Sequence, residues 1–296
     1  MAMQGAPYQS EKVSPEDYAF LQGLVREALA NVLGQDKESL VESRLMPIVW
    51  RRRLANLAEL FALMRAGTDK GLNGEVLDVM TTNETWFFRD QDAFNLLRED
   101  LIPQLVAKNQ GSRSLRIWSA ACSSGQEAYS VALLLKQHFP ALEGWDIQIT
   151  ATDVSERMVE RVKTGSYSQM EINRGMPLAL LVKYFTQTGP DWFVAGALKA
   201  MVKAQALNLA RPFAGLPPFD LVILRNVLFY FEDPVKREVL KRVTDRLAPG
   251  GLMLLGHAEN GLAYSDALER TSASKTFYYK LKSFQGACHD AVQPRP

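Results

Sequence analysis

The sequence predicts a parallel α/β domain preceded by an all-helical domain, and three observations carry that reading. From about residue 115, strand-like runs alternate with helix-like runs, the pattern that puts helices on both faces of a parallel sheet. Within that region "FDLVILRN" is apolar almost without interruption, as a strand covered on both faces requires. Before it, from Ser14 to Met80, apolar residues recur only at helical spacing.

The helical part begins at Ser14-Pro15-Glu16-Asp17, an N-cap followed by proline at the first helical position. Tyr18, Leu21, Val25, Ala28 and Val32 follow at helix spacing, with Gly34 to end the helix. A second pattern runs through "KESLVESRLMPIVWRRRLANLAELFALMRAG", with Pro47 as a break or restart, and "NGEVLDVM" is a further short helix. In the α/β part, "LRIWSA", "DIQITATD", "FDLVILRN", "LMLLGH" and "KTFYYKL" read as strands. "GQEAYSVALLLKQHF", "SERMVERVKTG" and "DPVKREVLKRVTDRLAPGG" read as helices, the last closed by Pro-Gly-Gly. The alternation breaks around Thr188-Gly189-Pro190-Asp191, a turn signal, which predicts a small antiparallel insertion at about 184–207. The expected organisation is a mobile tail at 1–13, the helical domain at 14–80 and a linker and lid at 81–95. The α/β domain then fills 96–283, and a second mobile tail 284–296.

Composition narrows the function. With 296 residues, 47% hydrophobic and 23% charged, the chain has ordinary globular content, and a formal net charge of +1 argues against whole-protein nucleic-acid binding. Cys122 and Cys288 lie far apart, so there is neither a disulfide framework nor a metal-ligand spacing, which fits a reducing, cytoplasmic setting. "MAMQGAPYQSEKV" lacks the apolar core of a signal peptide. "LVILRNVLFYF" is interrupted by Arg225 and Asn226 and is too short to span a bilayer, so no membrane insertion is expected.

In an open α/β sheet ligands bind beyond the carboxyl ends of the strands, and four segments there carry polar or small residues. "WSAACSSGQEAYS" brings the backbone close to a ligand and leads into a helix bearing Glu127; with Gly125 as its only glycine it is not a dinucleotide fingerprint. Its plain alternative is a tight turn with a solvated glutamate. Asp153 ends the second strand, where it could accept ribose hydroxyls or merely cap the next helix, a role Ser155 could share. Asn208 could meet an adenine edge or serve as a turn residue. Arg225 and Asn226 end an apolar strand that has no structural need of them, and Tyr230 follows.

That order resembles the class I S-adenosylmethionine (SAM)-dependent methyltransferase fold, a Rossmann-like sheet. "MTTNETWFFRD", "WSAACSSGQEAYS", "ATDVSERMVERVKTGSYS", "LNL", "FDLVILRNVLFYF" and "LLGHAE" together resemble the chemotaxis receptor methyltransferases, the CheR family, over nearly the whole chain. The resemblance implies a SAM site between the two domains at Asn83, Thr85, Arg89, Glu127, Asp153, Asn208, Leu209, Arg225 and Asn226. It implies S-adenosylhomocysteine as the product, and a glutamate on the cytoplasmic helical domain of a chemoreceptor as the substrate. In some family members the β insertion docks a receptor's C-terminal peptide. Arg89 would pair with the cofactor's carboxylate or orient the substrate's, and Tyr230 would position the latter. The family usually has glycine where Ala121 stands, an acid at Gln126 and proline at Ala128.

Methyl transfer to a carboxylate needs no general base, since a glutamate of ordinary pKa about 4.3 is ionised at neutral pH. The three histidines, His138, His257 and His289, therefore need no catalytic role. An enzyme acting on acidic receptor helices should present a basic surface, and Arg44, Arg51, Arg52 and Arg53 are the expected docking residues, with Arg51 and Arg65 sharing a helix face. A solvated arginine face is the plain alternative. Two rivals remain at this stage: a methyltransferase acting on another substrate, RNA included, and a binding module that senses SAM or its product.

Overall fold

The computed structural model describes residues 12–69, 71–273 and 276–282. Most of the two expected tails lies outside the described residues; Val13, however, is buried at 7% exposure, and its amide donates to Glu42 Oε1 at 3.0 Å.

Four helices form the N-terminal part: α1 (Pro15–Leu29), α2 (Glu38–Arg52), α3 (Leu57–Ala66) and α4 (Leu72–Met80). They enclose a core of their own around Leu21, Leu45, Ile48, Leu60, Phe61 and Val76, all fully buried. Two boundaries differ from the sequence reading. The first helix stops at Leu29 rather than Gly34, with Ala30 left-handed at φ 55°. Asn31 leaves to bridge Phe231 and the Val32 amide donates to Tyr230 O at 3.2 Å, so contacts with the second domain override the helical period. Pro47 does not break α2. Its cost of about 3 kcal/mol is outweighed by buried Leu45, Ile48 and Val49, at about 1.5–3 kcal/mol each. The break comes at Arg53 instead, left-handed at φ 59°. Asn56 then caps α3 by accepting from Glu59 N at 2.8 Å.

The linker leads into α5 (Gln91–Leu96), a π-helical turn (Leu97–Leu101) and α6 (Ile102–Lys108). Next come β1 (Ser114–Ala120), α7 (Gln126–His138), β2 (Asp146–Asp153), α8 (Glu156–Thr164), β3 (Ser166–Ser168), α9 (Gln169–Asn173) and α10 (Leu178–Tyr184). They are followed by β4 (Phe185–Thr188), β5 (Asp191–Val194), α11 (Gly196–Lys199), β6 (Val202–Ala206), β7 (Phe219–Leu224), α12 (Asp233–Thr244), β8 (Leu247–Leu255), β9 (Leu268–Ala273) and β10 (Thr276–Leu281). The main sheet runs β6-β2-β1-β7-β8-β10-β9. Its first five strands are parallel, while β10 is antiparallel to both of its neighbours. Alternate residues feed two cores: Ile117, Ile149 and Ile223 face one side, Trp118, Val222 and Leu224 the other. The chain builds outward from β1 through β2 to β6 and then crosses back to β7. The crevice at that switch point is where such sheets bind ligands.

Three details depart from the sequence reading. The helix before β8 ends at Thr244, and Ala248-Pro249-Gly250-Gly251 lies inside β8, where the register with β7 shifts. A Cβ at Gly251 would meet Ala248 O and Phe219 O at 2.8 Å, so this irregular strand needs glycine. Leu268–Ala273, unassigned from sequence, pairs with β10. The small antiparallel sheet, β3-β5-β4, takes its third strand from Ser166–Ser168, upstream of the expected insertion; β6, within it, joins the main sheet.

Candidate active site

Asn83, Thr85, Arg89, Glu127, Asp153, Asn208, Leu209, Arg225, Asn226 and Tyr230 all line one cavity at the carboxyl ends of β1, β2, β6 and β7. Leu29 and Asn31 of the helical part close it from above.

Asp153 ends β2 at 6% exposure. One carboxylate oxygen accepts from Ser123 N at 2.8 Å and the other from Ser155 N at 3.0 Å. Ser155, not Asp153, caps α8, its hydroxyl accepting from Met158 N at 3.1 Å. Burial raises the Asp153 pKa above the ordinary carboxylate value, against the pull of those backbone N–H groups. Each oxygen keeps a lone pair for a further donor.

Glu127 is not the solvated glutamate of the plain reading. Its side chain is 14% exposed, Ser119 Oγ donates to it at 2.7 Å, and Arg225 Nη1 at 3.1 Å. Burial raises its pKa, with Arg225 as the main opposing influence. Arg225 is 2% exposed and also donates to the Asp90 carboxylate and, at 3.0 Å, to Arg89 O. Asp90 escaped the sequence reading, although an acid directly after Arg89 was its available signal.

The segment "TTNETWFFRD" divides its labour. Phe87 is fully buried, packing edge-on against Tyr167 at 5.0 Å and Phe185 at 5.8 Å. Trp86 lies between two guanidinium groups, Arg89 at 4.5 Å and Arg174 at 4.4 Å from the ring centroid. Asn83 O accepts from Ser123 Oγ at 2.9 Å, tying the segment to the loop after β1. Arg89 Nη1 donates to Glu84 O at 2.8 Å. Among the described residues, the buried Nε atoms of Arg89 and Arg225 have no acceptor. Both arginines line the cavity, and a guanidinium there suits a ligand that carries a carboxylate.

Asn208 spends much of its side chain within the protein: Nδ2 donates to Ala28 O at 2.8 Å and Oδ1 accepts from Ala210 N at 2.9 Å. It fastens α1 to the cavity floor and retains one donor and one acceptor for a ligand. Tyr230 is half-buried, and burial raises its phenol pKa, opposed by a hydrogen bond with Thr82 and by nearby Arg89. It is thus a neutral donor at neutral pH. His257 is exposed and lies away from the cavity.

The loop after β1 carries two of the departures from the family pattern. Ala121 is left-handed at φ 57°, a conformation that favours glycine. Gln126, 2% exposed, accepts from Ser124 Oγ at 2.8 Å and turns its amide toward Glu171 at 3.5 Å, where an acid would meet another acid.

The expected docking arginines do not form an unpaired basic face. Arg51 and Arg52 both pair with Glu75, Arg52 at 2.7 Å, and Arg52 also reaches Asp69 at 2.5 Å. Arg44 donates to Met80 O at 2.7 Å and Thr82 Oγ1 at 3.1 Å, bracing the linker. Arg51 and Arg65 sit on different helices because of the break at Arg53, and Arg65 pairs with Asp17 at 2.6 Å. Arg53 is exposed.

Residues 83–277 match the family model described as CheR methyltransferase, SAM binding domain. Chemotaxis protein methyltransferase Cher2 of Pseudomonas putida is 38% identical over 272 residues, covering 90% of this chain and 98% of that protein. Chemotaxis protein methyltransferase 1 of Pseudomonas aeruginosa shows the same identity and coverage, 38%, 90% and 98%. The chemotaxis protein methyltransferase of Vibrio parahaemolyticus is 35% identical over 274 residues, covering 91% of this chain and 98% of that protein.

Proposed function

The chain belongs to the CheR methyltransferase family, and from that premise we propose that it methylates glutamate side chains of chemoreceptors, forming glutamate methyl esters with SAM as the donor. SAM dependence itself follows from the family. The observation that carries the reading is the convergence of Arg89, Arg225, Asp153 and Tyr230 on one cavity. When bound, SAM supplies an electrophilic methyl group on a sulfonium centre. The side chains then have three tasks: to hold the donor, to align the acceptor and to keep water out. Asp153 accepts from ribose hydroxyls, and Asn208 and Leu209 meet the base. Arg225 and Arg89 supply charge-assisted hydrogen bonds to carboxylates, and Tyr230 donates to the acceptor glutamate. Because that glutamate is already ionised, catalysis rests on alignment and on stripping water from the nucleophile.

The partner in this reading is the cytoplasmic helical domain of a chemoreceptor. Among the described residues no helix is long and apolar enough to cross a membrane. In the β4–β5 hairpin the turn is short: Thr188 pairs with Asp191, leaving Gly189 and Pro190 at the tip. Pro190 offers no backbone donor, so docking of a receptor C-terminal peptide is expected to be weak or absent. Titration with such peptides showing micromolar binding that disappears with the hairpin would reverse this expectation.

Transfer of labelled methyl from SAM to receptor-bearing membranes, released by mild base as methanol, tests the proposal. Base-stable label on RNA, or SAM binding without any transfer, would replace it with one of the two rivals.

A further inference from the structure

Glu259, in the loop after β8, is 5% exposed and has no part in the roles above. Its carboxylate accepts four backbone N–H groups. Oε2 takes Asn226 N and Gly256 N at 2.8 Å each; Oε1 takes Val227 N at 2.8 Å and Leu228 N at 2.7 Å. For three consecutive amides to turn toward one anion the backbone must form a concave nest. Asn226 is left-handed at φ 59°, and Val227 adopts φ −131°, ψ −32°. The fourth bond closes on Gly256, where a Cβ would stand 2.6 Å from Glu259 Oε2 and 3.0 Å from Asn226 N. Only glycine lets the carboxylate in.

The turn held by this anion carries cavity residues. Asn226, Val227, Phe229 and Tyr230 line the site. Tyr230 N donates to Val227 O and Phe231 N to Leu228 O, each at 3.1 Å, so Tyr230 hangs directly from the nest-bound backbone.

We propose that Glu259 is a positioning residue for methyl transfer: its carboxylate acts as a built-in anion that fixes the Asn226–Tyr230 turn and so aims Asn226 and Tyr230 into the cavity. The charge matters as well as the shape. A glutamine would turn an NH2 group toward backbone donors and leave them unsatisfied in a buried place. The inference rests on the proposed function only for its activity readout.

The test compares full-length wild type, Glu259→Gln and Glu259→Ala by melting, hydrogen exchange, S-adenosylhomocysteine calorimetry and methyl transfer. Both variants are expected to fold, with exchange accelerated at residues 226–230 and kcat reduced tenfold or more. Added formate should restore part of the turnover of Glu259→Ala by refilling the nest. It should not help Glu259→Gln, and neutral formamide should help neither. Wild-type turnover and exchange in Glu259→Gln would overturn the proposal. So would equal rescue by formamide, or unfolding of both variants, because the carboxylate would then hold the domain and not the turn. If wild type methylates no receptor, the proposed function fails on its own. Glu259 is then judged by exchange and by a change in product affinity, and unchanged values in Glu259→Gln overturn its role.

Discussion

Arg225 donates to Glu127 at 3.1 Å from a side chain only 2% exposed. The pair joins the end of β7 to the first turn of α7 across the sheet's switch point. Burial alone would penalise either charge. Here Ser119 donates to Glu127, and Asp90 and Arg89 O accept from Arg225, leaving the Arg225 Nε without a partner. The end of β7 and the first turn of α7 are thereby held together at the cavity wall.

Asp153→Ala is expected to weaken both SAM and S-adenosylhomocysteine by about 1.5–3 kcal/mol, roughly ten- to hundredfold, through loss of a charged acceptor. Burial holds the Asp153 and Glu127 pKa values above the ordinary range. A carboxyl raised in the folded state binds its proton more tightly when folded. Its contribution to stability is full below the unfolded pKa of about 4 and is lost as pH rises through the folded value. Apo stability should therefore fall over that window while product affinity rises. Melting and calorimetry at matched pH check both slopes, and unchanged affinity in Asp153→Ala would remove the residue from the site.

Arg89→Ala is expected to lower kcat at least tenfold while the fold persists. Among the described residues the side chain bonds Glu84 O and lies on the Trp86 face, so its loss should leave the core packing in place. Near-normal turnover in a folded variant would contradict the assignment of the 81–90 segment to the active site.

Charge reversal of Arg51, Arg52 and Arg53 together is a poor probe of docking, since it sets new carboxylates against Glu75 and Asp69. That variant should melt lower than wild type. Arg53→Glu alone is expected to reduce receptor methylation severalfold, to soften its salt dependence and to spare product binding. Equal methylation rates at low salt would return Arg53 to the class of solvated arginines.

Ala121→Gly is expected to stabilise the protein by about 0.5–1 kcal/mol, because relief of left-handed strain of about 1–2 kcal/mol exceeds glycine's entropic cost. Chemical denaturation checks this. A destabilised variant would mean that the φ of 57° carries no strain at this turn.

The sequence by itself determined the layered architecture and pointed to several strand-end residues that line the cavity. Strands such as Phe219–Leu224 are buried on both faces and must read as continuous apolar runs. Residues at strand ends must cluster once the sheet is parallel, which is why Glu127, Asp153, Asn208 and Arg225 could be gathered before any coordinates. Tertiary structure decided what no local pattern encodes. Helix α1 ends at Leu29 because Asn31 pairs with Phe231, 200 residues away. Pro47 stays helical because its neighbours are buried. Arg51 and Arg52 at the end of α2 pair with Glu75 and Asp69 on a later segment. Glu259 becomes an anchor only when β8 lies beside β7 and brings four amides around it. Ion pairing and amide satisfaction depend on a few ångströms between distant segments, and sequence spacing carries no record of that distance.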